Sequence, residues 1–251
     1  MSVALKREKK RPIVFVCFLT LAAGMASAEN ASNPLASVSN LDTRVQYTYA
    51  DPVDRWDVFL DGSQMLMPSL KLKYELHYNF TDAIGSEEND FEKLVIKPIY
   101  FPSKTKLNED WGLKTAVGLD WTIEFNNEDK GIGIGADTIS PFVGLAFNHA
   151  PSSLVLIPLL QHFVNYRSND TDVNLTSLRL IALRPFGKGY WGKLDAKIPY
   201  DWEGEKWLPT AEVQLGYNIN KTFAVFVEAL IGIGKDRPYD GGGGLGLRLK
   251  Y

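Results

Sequence analysis

From Trp111 to Phe125 the chain alternates with a period of two. Trp111, Leu113, Thr115, Val117, Leu119, Trp121, Ile123 and Phe125 are interleaved with Gly112, Lys114, Ala116, Gly118, Asp120, Thr122 and Glu124. Large residues fall on one face and small or charged ones on the other, which is the pattern of a strand between an oily and a polar medium. Leu70, Leu72, Tyr74, Leu76, Tyr78 and Phe80 oppose Lys71, Lys73, Glu75, His77 and Asn79 in the same way. Leu94, Ile96, Pro98 and Tyr100 oppose Lys93 and Lys97. Tyr190, Leu194, Ile198 and Tyr200 oppose Lys193, Asp195 and Lys197, and Ala211, Val213, Leu215 and Tyr217 oppose Glu212 and Gln214. Weaker versions surround Arg179, Glu228 and Arg248 and run from Ile139 to Phe147. Leu154 to Tyr166 is apolar on both faces at its start. Ten such segments can be read, each about ten residues long, the length a tilted strand needs to cross a bilayer.

A soluble sandwich also alternates. Three features favour a membrane barrel instead. Trp111, Trp121, Tyr190, Tyr200, Trp202, Trp207 and Tyr217 cluster near strand ends, as in interfacial girdles. Charged faces lie opposite fully apolar ones. The sequence ends on an alternating strand whose last residue is Tyr251, expected to act as an assembly signal and to close the sheet. The fold predicted is therefore all-β: an antiparallel up-and-down transmembrane β-barrel of ten strands, or of twelve if Leu41 to Leu60 forms a further hairpin. That segment can alternatively lie inside as a plug. Residues 29–64 are thus an N-terminal plug or hairpin region, and 65–251 the barrel.

Residues 1–28 read as a secretory signal peptide. Lys6, Arg7, Lys9, Lys10 and Arg11 form a positive start, Ile13 to Ala23 is apolar, and Ala26-Ser27-Ala28 is a small-residue cleavage site. The single cysteine, Cys17, lies inside it, so disulfides, metal thiolates and cysteine nucleophiles are not expected in the mature chain. Removing the signal takes away five of the 27 basic and one of the 30 acidic residues, leaving 22 against 29 and a net charge of −7. An acidic chain is a poor nucleic-acid binder, and none is expected as a partner. The expected location is the outer membrane, with membrane lipid, lipopolysaccharide and the barrel assembly machinery as partners.

Connections alternate in length. Gly85 to Asp90, Asn126 to Asp137, Ser168 to Val173, Asp201 to Lys206 and Gly234 to Gly242 are polar and long, whereas His149 to Ser153, Gly187 to Gly189 and Asn218 to Lys221 are tight. Short turns on the periplasmic side and long loops outside are the barrel rule. Pro102 to Asp110 is longer than that rule expects.

Several stretches carry a family resemblance. They are Asn33-Pro-Leu-Ala36, Gly135-Ala-Asp-Thr138, Ser168-Asn-Asp-Thr-Asp-Val-Asn174, Tyr200-Asp-Trp-Glu-Gly-Glu-Lys-Trp207 and Pro238-Tyr-Asp-Gly-Gly242. Together they resemble a Gram-negative outer-membrane transporter family of the MetA-pathway-of-phenol-degradation type. The resemblance implies a passive channel, with the solute unassigned.

No catalytic constellation stands out, and no cofactor or metal site is expected. There are three histidines. His149-Ala-Pro-Ser152-Ser153 has hydrolase residue types but falls in a predicted periplasmic turn. His77 beside Glu75 suits a hydrogen-bonding role in the lumen, and His162 an interior one. Gly131-Ile-Gly-Ile-Gly135 lacks the helix a nucleotide loop would need, so it reads as a bend. The acidic residues Asp201, Glu203 and Glu205 near Asp170 and Asp172 read as a solvated loop. The informative surface is the inner face. Lys71, Lys73, Glu75, His77, Lys114, Asp120, Glu124, Arg179, Lys193, Asp195, Lys197, Glu212, Glu228 and Arg248 are predicted to line it. Such charges can pair and close a narrow barrel or line a wet route for a small solute. The leading expectation is a passive channel for a small, aromatic or organic, solute. A structural or interaction barrel with a closed lumen comes second, and a lipid-modifying enzyme third.

Overall fold

The computed structural model describes residues 31–168 and 171–251. The signal-peptide segment 1–28, and Asn169 and Asp170 of the Ser168 to Val173 loop, lie outside the described residues.

Among the described residues twelve strands form the wall. They are β1 (Asn40–Ala50), β2 (Val53–Met67), β3 (Leu70–Thr81), β4 (Glu88–Tyr100), β5 (Trp111–Glu124), β6 (Ala136–His149), β7 (Leu154–Ser168), β8 (Asn174–Pro185), β9 (Tyr190–Asp201), β10 (Thr210–Asn218), β11 (Phe223–Gly232) and β12 (Gly241–Lys250). Each is antiparallel to its sequence neighbours, and β12 pairs back onto β1 from Asn40↔Lys250 to Tyr49↔Gly241. The sheet is therefore closed and has no free edge. Two short ribbons, Lys104–Lys106 and Lys206–Trp207, pair with β5 and β9.

The count of ten is corrected to twelve. The extra pair is the hairpin β1–β2, joined by the tight turn at Asp51 and Pro52. Its alternation is diluted on both faces. Thr43, Asp54 and Gln64 point outward among apolar residues, while Phe59 points inward and is buried.

The registers place like faces together. Asp42 lies opposite Arg248, Asp61 opposite Glu75, Lys73 opposite Lys97 and Asp195 opposite Glu212, all inward. The intervening residues form an outer band that includes Val117, Val143, Leu160, Leu194, Val213, Leu215, Val227 and Leu245, all exposed. A continuous apolar band of this kind is a surface that a bilayer covers. Aromatic side chains mark its two borders. Tyr100, Phe186, Tyr190 and Tyr217 sit toward the end carrying Asn40 and Lys250 (the near end), and Trp56, Phe91, Trp121, Phe125, Tyr166 and Trp202 toward the far end. At the far border Trp121 Nε1 donates to Tyr166 Oη at 2.6 Å.

Short turns dominate the near end, and the loops 82–87, 125–135, 202–209 and 233–240 lie at the far end. The long connection 101–110 is the near-end exception, and the Lys104–Lys106 ribbon ties it back to β5. Residues ahead of β1 turn into the barrel: Leu35, Ala36 and Val38 are buried there.

Candidate functional site

Two arcs of charge line the inner wall. One runs from Arg248, which grips Asp42 through Nε and Nη2 at 2.7 and 2.5 Å. Arg44 bridges Asp42 and Asp61, each at 3.2 Å. Lys73 then links Asp61 at 3.2 Å to Glu75 at 3.7 Å. Lys97 links Glu75 at 3.7 Å to Asp120 at 2.8 Å, and Gln161 donates to Asp120 at 2.9 Å. The second arc begins at Arg179, which holds Asp195 in a fork at 2.7 and 2.6 Å. Lys193 joins Asp195 at 3.2 Å to Glu212 at 2.9 Å. Gln214 bonds both Glu212 and Glu228, and Gln46 donates to Glu228 at 2.6 Å, which returns the series to β1.

The arcs do not meet between Gln161 and Arg179 among the described residues. Between them the inner face is apolar: Phe142, Leu159, Phe163, Leu175 and Ile181. This explains why Leu154 to Tyr166 reads as apolar on both faces. One face meets the outside, and the other forms a greasy inner strip.

The N-terminal segment lies against this strip. Leu35 packs with Ile99, Phe101, Phe142, Ile157, Leu159 and Ile181. Two lysines hold its backbone. Lys71 Nζ donates to the carbonyls of Ala36 at 2.9 Å and Pro34 at 3.4 Å. Lys114 Nζ donates to the carbonyl of Leu35 at 2.7 Å and to Ser37 Oγ at 2.6 Å, with its ammonium 3.9 Å from the centre of the Phe101 ring. Arg248 also donates to Ser32 Oγ. Residues 31–38 thus plug the near end. A cavity of about 650 Å³ lies on the far side of the plug, and one of about 510 Å³, lined by Asn33, Lys104, Lys106, Lys114 and Asn148, lies on the near side.

The loop 125–135 leans over the far mouth. Arg55 Nη2 donates to the Gly131 carbonyl at 3.1 Å, and Glu124 accepts the Ile134 N–H at 3.1 Å. Gly133 has φ +79°, a conformation that favours glycine, and a Cβ there would push on the Glu124 carboxylate. Within this loop Lys130 donates to Asp90 at 2.5 Å, and that bond holds its ammonium above the ordinary range.

All fourteen predicted lining residues sit on the inner face by register. Lys71, Lys114 and Arg248 serve the plug. Lys73, Glu75, Asp120, Arg179, Lys193, Asp195, Glu212 and Glu228 belong to the arcs, and Glu124 to the far loop. Lys197 faces the larger cavity and makes no ion pair among the described residues. His77 lies with Nδ1 2.7 Å from Asp57 Oδ2 and with Nε2 3.6 Å from Glu75, so its nearer partner is Asp57. Tyr251 donates its N–H to Ser39 O at 3.3 Å and its hydroxyl to Ser63 O at 3.4 Å.

Sequence reading does not reach Asp42, Arg44, Asp57 and Asp61, because Leu41 to Leu60 reads as either a hairpin or a plug. Their own alternation was the available signal. It also missed Glu92. Strict period two would send this side chain outward, but the register jumps from His77↔Lys93 to Tyr78↔Phe91, so Glu92 is the extra residue of a β-bulge and turns inward.

The hydrolase pair has a local explanation. His149 Nδ1 lies 2.6 Å from Ser152 Oγ across a near-end turn, its ring packs on Trp111, and no carboxylate bonds to it among the described residues. The Asp201 loop likewise closes on itself, with Asp201 accepting the N–H groups of Glu203 and Gly204 at 3.2 Å.

No protein-family model and no curated protein matches the sequence. Solved structures do. A KdgM porin in complex with disordered oligogalacturonate aligns over 84% of this chain and 99% of its own, at 13% identity and a TM-score of 0.55. The COG4313 outer membrane channel from Pseudomonas putida F1 aligns over 86% and 97%, at 9% identity and 0.60. Outer membrane phospholipase A from Escherichia coli aligns over 84% and 92%, at 15% identity and 0.51. The likeness is one of fold. It extends to channels and to an enzyme, so it does not by itself exclude catalysis.

Proposed function

We propose that this chain is an outer-membrane channel for small solutes, closed at its near end by its own N-terminal segment. The observation that carries this reading is the lumen. A cavity of about 650 Å³ is bounded by two charged arcs on one side and an apolar strip on the other. A polar lumen inside an apolar band is the arrangement of a conducting barrel. The strip beside the charges suits a small organic solute, including an aromatic one, with an apolar body and a polar group. The solutes of the structural neighbours give no further guidance at these identities.

The near end is periplasmic in this reading, with the loops 202–209 and 233–240 outside. Membrane lipid and lipopolysaccharide cover the outer band, and the barrel assembly machinery inserts the chain after removal of residues 1–28. The arcs lie along the wall rather than across the lumen, which favours a route over a filled barrel. The deciding experiment is single-channel recording of the refolded protein in a planar bilayer, with and without residues 31–38. Discrete openings that increase when 31–38 are removed support the channel. Silence in both forms supports a structural barrel, the second reading, which the nearly closed belt of ion pairs favours.

A further inference from the structure

On the inner faces of β2, β3 and β4, three side chains that suit a metal ion converge. Asp57, His77 and Glu92 each present a ligand atom, and these atoms lie within 4.8 Å of one another. They come from three different strands, and the site exists because of the bulge: without it Glu92 would face the lipid. Asn79 sits beside them, its side-chain amide donating to Glu92 Oε2.

The cluster is short of donors. Asp57 Oδ1, His77 Nε2 and Asn79 Oδ1 are all buried without a hydrogen-bond partner among the described residues. His77 is only 7% exposed and Asn79 only 1%, so water gives them little relief. Buried polar atoms left unsatisfied are costly, and native structures keep few of them. Three gathered around two carboxylates and an imidazole call for a cation. Lys93 reaches Glu92 Oε1 at 2.8 Å but leaves the other acceptors unserved. The Phe59 ring stacks on His77 with centroids 4.6 Å apart and fixes the plane of the imidazole. That rigidity is what a metal ligand needs from its surroundings.

We propose that Asp57, His77 and Glu92 form a binding site for a single divalent transition-metal ion, Zn²⁺ or one of similar preference, in the wall of the lumen. An imidazole with two carboxylates favours such ions over Ca²⁺ and Mg²⁺, which take oxygen ligands. On binding, the ion displaces the proton that His77 shares with Asp57, so the imidazole offers one ring nitrogen and each carboxylate an oxygen. Asn79 orients Glu92 through its side-chain amide N–H. The site lies away from the plug and its lysines, so it stands whether or not the lumen conducts.

The test uses the refolded full-length barrel in detergent, with folding checked by heat-modifiability. After dialysis against chelator, Zn²⁺ is titrated calorimetrically, and Co²⁺ absorption is recorded in parallel. The expected result is one Zn²⁺ per chain, with at least about tenfold weaker binding in His77→Gln and in Glu92→Gln. The visible Co²⁺ bands should be lost in both variants. His149→Gln and His162→Gln should bind as the parent does, and Mg²⁺ should not compete. Absence of stoichiometric Zn²⁺ binding by the folded parent overturns the proposal. So does binding that His77→Gln leaves intact, or that moves with His149. If Glu92→Gln misfolds, His77→Gln and the Co²⁺ spectrum of the parent decide alone.

Discussion

At the residue scale, the clearest energetic commitment is the Arg248–Asp42 pair. Both side chains are almost fully buried, and the guanidinium fork satisfies both carboxylate oxygens. Removing one partner of such a pair leaves a buried charge uncompensated. Arg248→Met should therefore cost about 3–5 kcal/mol, read from the midpoint of urea-induced unfolding in liposomes. The double variant with Asp42→Asn should recover part of that loss. Position 117 makes the opposite kind of commitment. Val117 points out of the barrel and is 42% exposed to what the bilayer would cover. Val117→Arg should cost roughly 2–4 kcal/mol in the same assay. Its neighbour Gly118 faces inward, but a Cβ there would strike the Phe142 ring and the Pro98 carbonyl, so even Gly118→Ala should destabilise.

At the element scale, the plug is the feature on which conduction would turn in the proposed channel. Lys71 and Lys114 come from β3 and β5 and grip residues 34–37 from two sides. The double replacement Lys71→Met, Lys114→Met should leave the barrel folded, because neither lysine closes the sheet, and should raise open probability in planar-bilayer recordings. An unchanged current would mean that Leu35 packing alone retains the segment. The strands themselves were largely legible in the sequence. Where one face is wholly apolar and the other charged, as in β3, β5, β9 and β10, period two places every side chain correctly. β1 and β2 were harder to commit because Thr43, Asp54 and Phe59 blur the faces. Glu92 was illegible because a bulge breaks the period that was being used to read it. The plug's docking was hidden for another reason: it depends on Leu35 meeting residues from β4 to β8, which are far apart in sequence and brought together only by closure.

At the scale of the whole molecule, an even number of strands puts Asn40 and Lys250 at one end and the longer loops mostly at the other. If the near end is periplasmic, a cysteine replacing Glu203 should react with an impermeant maleimide on intact cells. Labelling only after the outer membrane is disrupted would invert the barrel. Closure also concentrates demand on the β12–β1 seam, the pairing made between the most distant parts of the chain. Tyr251 secures that seam by reaching Ser39 and Ser63. Tyr251→Asp would place a charge at the border of the apolar band. The expected outcome is a marked fall in heat-modifiable protein in the membrane fraction, measured against the parent on semi-native gels.

The way the plug is held has one further consequence. Lys71 and Lys114 bind amide carbonyls, and every residue carries one. The lysines therefore read only backbone, and the side chains of the segment are read elsewhere, by the buried packing of Leu35, Ala36 and Val38 and by the hydroxyls of Ser32 and Ser37. In the proposed channel, closure is thus written in the barrel wall as much as in the strip of chain that does the closing. Polar replacements at the buried positions Leu35, Ala36 and Val38 would loosen the segment from its own side, and changes at the two lysines would loosen it from the wall.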